Sequence, residues 1–171
     1  GQTCIAGSRL LLQDSIHDAF LERLVRMAGT ARMGDPMSAD TQIGPITTES
    51  QYRKILEYIE IAKGEGARCV LGGGPAQSPA GTGRGYFVQP TIFADVTPRM
   101  RIPQEEVFGP VLSVLRFRDE KEAIEIANDV TYGLAAGVWT ESLRRAITMA
   151  DALEAGTVWV NTYRSTSYTT P

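Results

Sequence analysis

The sequence predicts an α/β protein built on a mainly parallel sheet with helices on both faces. Three observations predict it. Short apolar runs rich in β-branched residues alternate with segments whose apolar side chains recur every three to four positions. Gly, Pro, Asn and Asp punctuate the changes from one period to the other. From Val111 to Val160 the order is strand, helix, strand, helix, strand, an alternation that favours parallel strands joined by crossover helices.

The elements follow in order. Arg9 to Gln13 is a short apolar run, and Ser15 stands three residues before Asp18 in the spacing of a capping box, which predicts a helix start. Within that helix Ile16, Phe20, Leu24 and Met27 share one face and are expected inward, with Glu22, Arg23 and Arg26 outward. Gly34, Asp35 and Pro36 are expected to end it. Thr48 and Gln51 make a second capping box, opening a helix with Tyr52, Ile55, Ile59 and Ala62 on its inner stripe and Gly64 and Gly66 at its end. A brief strand, Arg68 to Leu71, comes next. Gly72 to Gly85 reads as a surface loop, and its Gly81, Gly83 and Gly85 lack the spacing of a nucleotide-binding fingerprint.

Val111 to Phe117 reads as a buried strand. Asp119 with Glu122 then caps a helix that turns Ala123, Ile126, Ala127 and Val130 inward. Leu134 to Trp139 is a strand. Leu143, Ala146, Ile147, Ala150 and Leu153 mark a last helix, stopped by Gly156, and Thr157 to Val160 is a strand again.

Composition narrows the function classes. With 171 residues, 43% hydrophobic and 22% charged, the chain can bury one ordinary core, and one domain over 1–171 is the default. A net charge of -3 removes the electrostatic case for nucleic acid or an anionic membrane, so a small-molecule partner is expected. Two cysteines, Cys4 and Cys69, make no disulfide framework and have no zinc-site spacing, which points to a reducing, cytoplasmic compartment and to no bound metal. The longest apolar run, Tyr132 to Trp139, is far short of a membrane span. The chain opens on Gly1 without an initiator Met, close to its most reactive-looking residues, and a truncated or processed product is expected.

Two segments can carry chemistry. Around Cys4 the small residues Gly1, Ala6, Gly7 and Ser8 let a substrate approach the backbone, as a thiol nucleophile with an oxyanion site requires; simple packing as a small hydrophobe is the commoner fate of a lone free Cys. Cys69, between Arg68 and Val70, reads as a packed thiol. In Pro103–Pro110, adjacent acids and Phe108 are held between two prolines directly before a buried strand, a place where α/β proteins bind ligands; a solvated acidic turn is the alternative. A Cys hydrolase would have to recruit His17, the only His, whose place in the first turn of a helix suggests a surface role.

Taken together, these segments resemble the aldehyde dehydrogenase superfamily. The pattern Gly-Gln-x-Cys is matched by Gly1, Gln2 and Cys4, followed by Ala6-Gly7-Ser8-Arg9. Glu106-Val107-Phe108-Gly109-Pro110, Ile43-Gly44-Pro45, Tyr132 to Val138 and Gly156 to Asn161 agree in order and spacing. The resemblance implies the catalytic domain of an enzyme that oxidises an aldehyde to a carboxylic acid with NAD or NADP. It implies that Cys4 is the nucleophile, that Glu106 holds the nicotinamide ribose hydroxyls, and that Phe108 packs against the nicotinamide end. Gln51 and Lys54 resemble positions near the adenosine ribose. In such enzymes the dinucleotide-binding domain, the general base Glu and the Asn of the oxyanion hole precede the nucleophile, and a Gly-rich stretch and an oligomer-forming strand follow the point where this chain stops. The isolated chain is therefore expected to be inactive, to bind the cofactor weakly or not at all, and to self-associate as a homo-oligomer. Tyr163 to Thr170 resembles the loop lining the aldehyde tunnel. A non-catalytic assembly module that keeps the fold is the alternative function.

Overall fold

The computed structural model describes residues 1–78 and 85–165. Gly81 and Gly83, and the stretch 166–170 of the tunnel-like loop, lie outside the described residues. The chain divides into two compact units, Gly1–Arg116 and Phe117–Pro171.

The first unit is a four-stranded sheet with its helices. The strands are β1 (Arg9–Gln13), β2 (Arg68–Leu71), β3 (Thr91–Ala94) and β4 (Val111–Phe117), in the order β1-β4-β3-β2. β3 pairs parallel with β4, and β2 pairs antiparallel with β3 at the edge of the sheet. In the second unit β5 (Ala135–Val138) and β6 (Thr157–Val160) pair parallel, Ala135 opposite Thr157 and Val138 opposite Val160. Both of these parallel pairs are joined by helix-containing connections, with helix Arg101–Gln104 between β3 and β4 and helix Leu143–Ala152 between β5 and β6. β3 escaped the sequence reading, although all four of its residues are buried and Thr91, Ile92 and Phe93 are good strand formers.

The helices are α1 (Asp14–Gly29), α2 (Glu49–Gly64), α3 (Arg101–Gln104), α4 (Glu120–Asn128) and α5 (Leu143–Ala152). α1 corrects the expectation twice. Its N-cap is Gln13, with no side-chain cap, so Ser15 lies inside the helix, and it ends at Gly29 rather than at Gly34. Its buried residues are His17 and Leu21, backed by Leu24, Val25 and Ala28 against Leu12, Ile92 and Val114, while Ile16, Phe20 and Met27 are exposed. The helix carries two adjacent apolar stripes, and periodicity alone does not say which one the sheet takes.

α2 matches its stripe. Ile55, Ile59 and Ala62 are fully buried, and the Thr48 hydroxyl accepts from the Gln51 amide at 3.2 Å. Its end is a Schellman turn: the Ala67 amide donates to the Ala62 carbonyl and the Gly66 amide to that of Lys63, with Gly66 at φ +92°. Asp119 caps α4 by accepting from the Glu122 amide at 3.0 Å, but the Glu122 carboxylate reaches the Arg118 amide, one residue further out than a capping box places it. Ala123 and Ile126 are the buried residues of α4. In α5 Ala146 and Met149 are buried, whereas Leu143 and Ile147 are exposed, another shift of the expected face.

Candidate active site

The turn that carries Cys4 is closed by one backbone hydrogen bond, from the Ala6 amide to the Thr3 carbonyl at 2.8 Å. Cys4 and Ile5 therefore occupy its middle, and Cys4 is exposed. Thr3 is exposed as well, and the two residues before it tie the turn to distant parts of the chain. The Gln2 side chain donates from Nε2 to the Pro45 carbonyl at 3.1 Å, and its Oε1 accepts from the Thr47 amide at 3.0 Å and the Thr47 hydroxyl at 3.1 Å. Gly1 lies so close to Gly109 that a Cβ on it would fall 1.7 Å from the Gly109 carbonyl oxygen. The Gly-Gln-x-Cys and Ile-Gly-Pro motifs thus meet at the Pro45 carbonyl, and Gly1 meets the Glu106–Pro110 motif at Gly109.

The second segment faces the first. Cys4, Ala6 and Ser8 on one side and Glu106, Phe108 and Gly109 on the other line a cavity of about 40 Å³. That volume admits a few atoms at the thiol and is far below the several hundred Å³ typical of a cofactor pocket.

Adjacent acids of this segment have opposite tasks. Both oxygens of Glu105 accept from Arg101, at 2.8 and 2.9 Å, and Glu105 also accepts from the Tyr58 hydroxyl, while the Arg101 guanidinium lies 5.5 Å over the Tyr58 ring. Arg101, and then Tyr58, hold the Glu105 carboxyl down at about 2, and the same contacts raise Arg101. Glu105 in turn raises the Tyr58 phenol. Glu106 is exposed, and among the described residues its carboxylate engages no side chain. It is available to a ligand; Glu105 is not.

Phe108 has φ +57°, a left-handed conformation that a bulky residue adopts only when its surroundings enforce it. Gln51 supplies part of that enforcement. Its Nε2 donates to the Val107 carbonyl at 2.8 Å and the Phe108 carbonyl at 3.1 Å, and Lys54 Nζ donates to the Glu106 carbonyl at 2.8 Å. Beneath them the buried Ile55 leaves no room for a side chain at position 109, where a Cβ would sit 2.6 Å from Ile55 Cδ1. One face of α2 thus sets three consecutive backbone carbonyls, a role for Gln51 and Lys54 that helix spacing alone does not disclose.

His17 is not on the surface. It is fully buried, with Nδ1 2.8 Å from Asp18 Oδ1, and it does not line the cleft. Burial follows from the inward face of α1, which the sequence placed one stripe away. Cys69 is half-buried on β2, its Sγ 3.3 Å from the Leu71 carbonyl.

In the second unit the matched residues hold strand ends. The Asn161 side chain, at φ +54°, accepts from the Thr140 amide and donates to the Thr140 carbonyl, and Trp159 Nε1 donates to the Ser165 carbonyl at 2.7 Å. The Gly156 amide donates to the Gly133 carbonyl.

Among the described residues no helix is long and apolar enough to cross a membrane, and no group of His, Cys, Asp and Glu is arranged to hold a metal. The aldehyde dehydrogenase family pattern matches residues 1–171. An aldehyde dehydrogenase of Aspergillus niger is 47% identical over all 171 residues, which make up 33% of its length. The cytosolic aldehyde dehydrogenase 2 of Macroscelides proboscideus is 46% identical, with 69% of it covered. The crystal structure of a Staphylococcus aureus betaine aldehyde dehydrogenase mutant, in complex with NAD+ and with a BME-modified cysteine, superposes with a TM-score of 0.93 at 39% identity over 99% of this chain and 34% of that one. The chain spans about a third of the length of the first curated relatives it matches. With sequence, motif contacts and fold in agreement, the chain belongs to the aldehyde dehydrogenase family.

Proposed function

We propose that this chain is the catalytic part of a larger NAD(P)-dependent enzyme that oxidises an aldehyde to a carboxylic acid. The observation that carries the reading is the cleft in which an exposed thiol, Cys4, faces an uncommitted carboxylate, Glu106, and a left-handed Phe108. As thiolate, Cys4 adds to the aldehyde carbonyl, forming a carbon–sulfur bond and a thiohemiacetal. The bound nicotinamide supplies the acceptor for the hydride that leaves that carbon. The acyl group then remains on Cys4 as a thioester, and water releases the acid and restores the thiol.

Glu106 would accept from the ribose hydroxyls next to the nicotinamide, and Phe108 would pack against that end of the cofactor. Gln51 and Lys54, which the resemblance puts near the adenosine ribose, sit on the same helix face as their bonds to the 106–108 carbonyls. The cleft would meet the reacting end of the cofactor, and the pyrophosphate and adenine would be bound by the sequence that the longer relatives carry besides this part. That sequence would also supply the general base and the oxyanion Asn. A homo-oligomer working in the cytoplasm completes the reading, in keeping with the free thiols.

The test is turnover. In the complete enzyme, Cys4→Ser should cut aldehyde-dependent NADH formation at least a thousandfold, and calorimetry should show weak or no NAD binding by the isolated chain, which forms no NADH. Turnover by Cys4→Ser would refute the nucleophile, and micromolar NAD affinity in the isolated chain would refute the assignment of the cofactor site to absent sequence.

A further inference from the structure

We infer that Gln2 is a positioning residue for Cys4: its side-chain amide fastens the thiol-bearing turn to the start of α2, the helix that also fastens the opposite wall of the cleft. The inference rests on the reading of Cys4 as the nucleophile.

The geometry is a closed loop of contacts. Gln2, two residues before Cys4, bonds three groups in residues 45–47, more than forty positions away. Thr47 adjoins Thr48, the N-cap of α2, whose hydroxyl holds the Gln51 amide. Gln51 then bonds Val107 and Phe108 across the cleft from Cys4. Both walls therefore refer to one helical turn, and the gap between thiol and carboxylate follows from its dimensions.

Thr3 and Cys4 are exposed and the Ala6–Thr3 hydrogen bond closes their turn, so the Gln2 side chain is what ties this end of the turn to residues 45–47. A reacting thiol displaced by about 1 Å can cost two orders of magnitude in rate, because attack needs the reacting atoms near contact and aligned. Binding of the cofactor, by contrast, draws on the wall held by Gln51 and Lys54, which a change at Gln2 leaves intact.

Gln2→Met keeps the size of the side chain and removes all three hydrogen bonds. Thr47→Val removes only the hydroxyl donor. In the complete enzyme Gln2→Met should lower kcat about ten- to a hundredfold, with KM for NAD(P) within about twofold of the parent, and Thr47→Val should lower kcat about two- to fivefold. In the 171-residue chain, hydrogen exchange at the Ala6 amide, which closes the turn, should accelerate at least tenfold in Gln2→Met. If Gln2→Met also lowers the thermal midpoint, Thr47→Val decides, and an unchanged kcat in it overturns the inference. Parent-like kcat and Ala6 exchange in Gln2→Met overturn it as well. Should Cys4→Ser remain active, the nucleophile reading is what fails; should Cys4→Ser be inactive while Gln2→Met equals the parent, only the positioning role fails.

Discussion

The wall that carries Cys4 and the wall that carries Glu106 are held by different means. The Cys4 turn is tied in by an exposed side chain, Gln2, and by the tight approach of Gly1 to Gly109. The Glu106 wall has many supports: Ile55 packed below, Gln51 and Lys54 on three carbonyls, and the neighbouring Glu105 clamped by Arg101 and Tyr58. The second wall is thus tied to α2 through three side chains, Gln51, Lys54 and Ile55, and the first to the start of α2 through Gln2.

The comparison can be broken most severely from below. Ile55 is fully buried under Gly109, and Ile55→Ala should destabilise the chain by about 2–5 kcal/mol, through lost transfer energy and the cavity left behind. Urea denaturation of the 171-residue chain measures it. A cost under 1 kcal/mol would mean that the wall does not rest on α2.

Gln51→Met sharpens the comparison at the next level. It removes two hydrogen bonds to carbonyls, each worth about 0.5–1.5 kcal/mol net, and with them part of what holds Phe108 left-handed. Lys54 and the Glu105 clamp remain, so a loss of about 1–2 kcal/mol in the same urea titration is expected, well short of Ile55→Ala. A loss as large as that of Ile55→Ala would show that the supports are not redundant.

Glu105 gives the smallest effect, and it has a pH signature. Its folded-state carboxyl is held at about 2, below its ordinary 4.5, chiefly by Arg101. The ionised form therefore stabilises the fold above about pH 4.5, and that contribution disappears as pH falls toward 2. Because the pair is partly exposed, the gain is modest. In acid titrations followed by circular dichroism, Glu105→Gln should start less stable at neutral pH and lose less between pH 4.5 and 2 than the parent. Parallel curves would contradict the clamp.

Much of this was legible in the sequence. The alternation after Val111 announced the parallel β5–β6 pair, and Thr48 announced the cap of α2. The residues brought to the cleft, Cys4, Glu106 and Phe108, were those that the motifs singled out. What was hidden depends on partners far along the chain. α1 has two apolar stripes, and only the sheet decides that His17 and Leu21 go inward while Ile16 and Phe20 stay in water. Short β3 is a strand because β2 and β4 flank it. Gln2, Gln51 and Lys54 are polar side chains of ordinary helix and loop type, and their tasks appear only once the carbonyls they bind are in place.

The central claim is that Cys4, in the cleft, is the thiol that does the chemistry, while Cys69 is held within the sheet. Timed labelling of the 171-residue chain with iodoacetamide, followed by peptide mapping, tests it most directly, since alkylation follows thiolate character and access. Cys4 stands exposed on its turn, and Cys69 is half-buried with its sulfur on the Leu71 carbonyl. Cys4 should be modified at least ten times faster than Cys69 at neutral pH. Equal rates, or Cys69 reacting first, would contradict it.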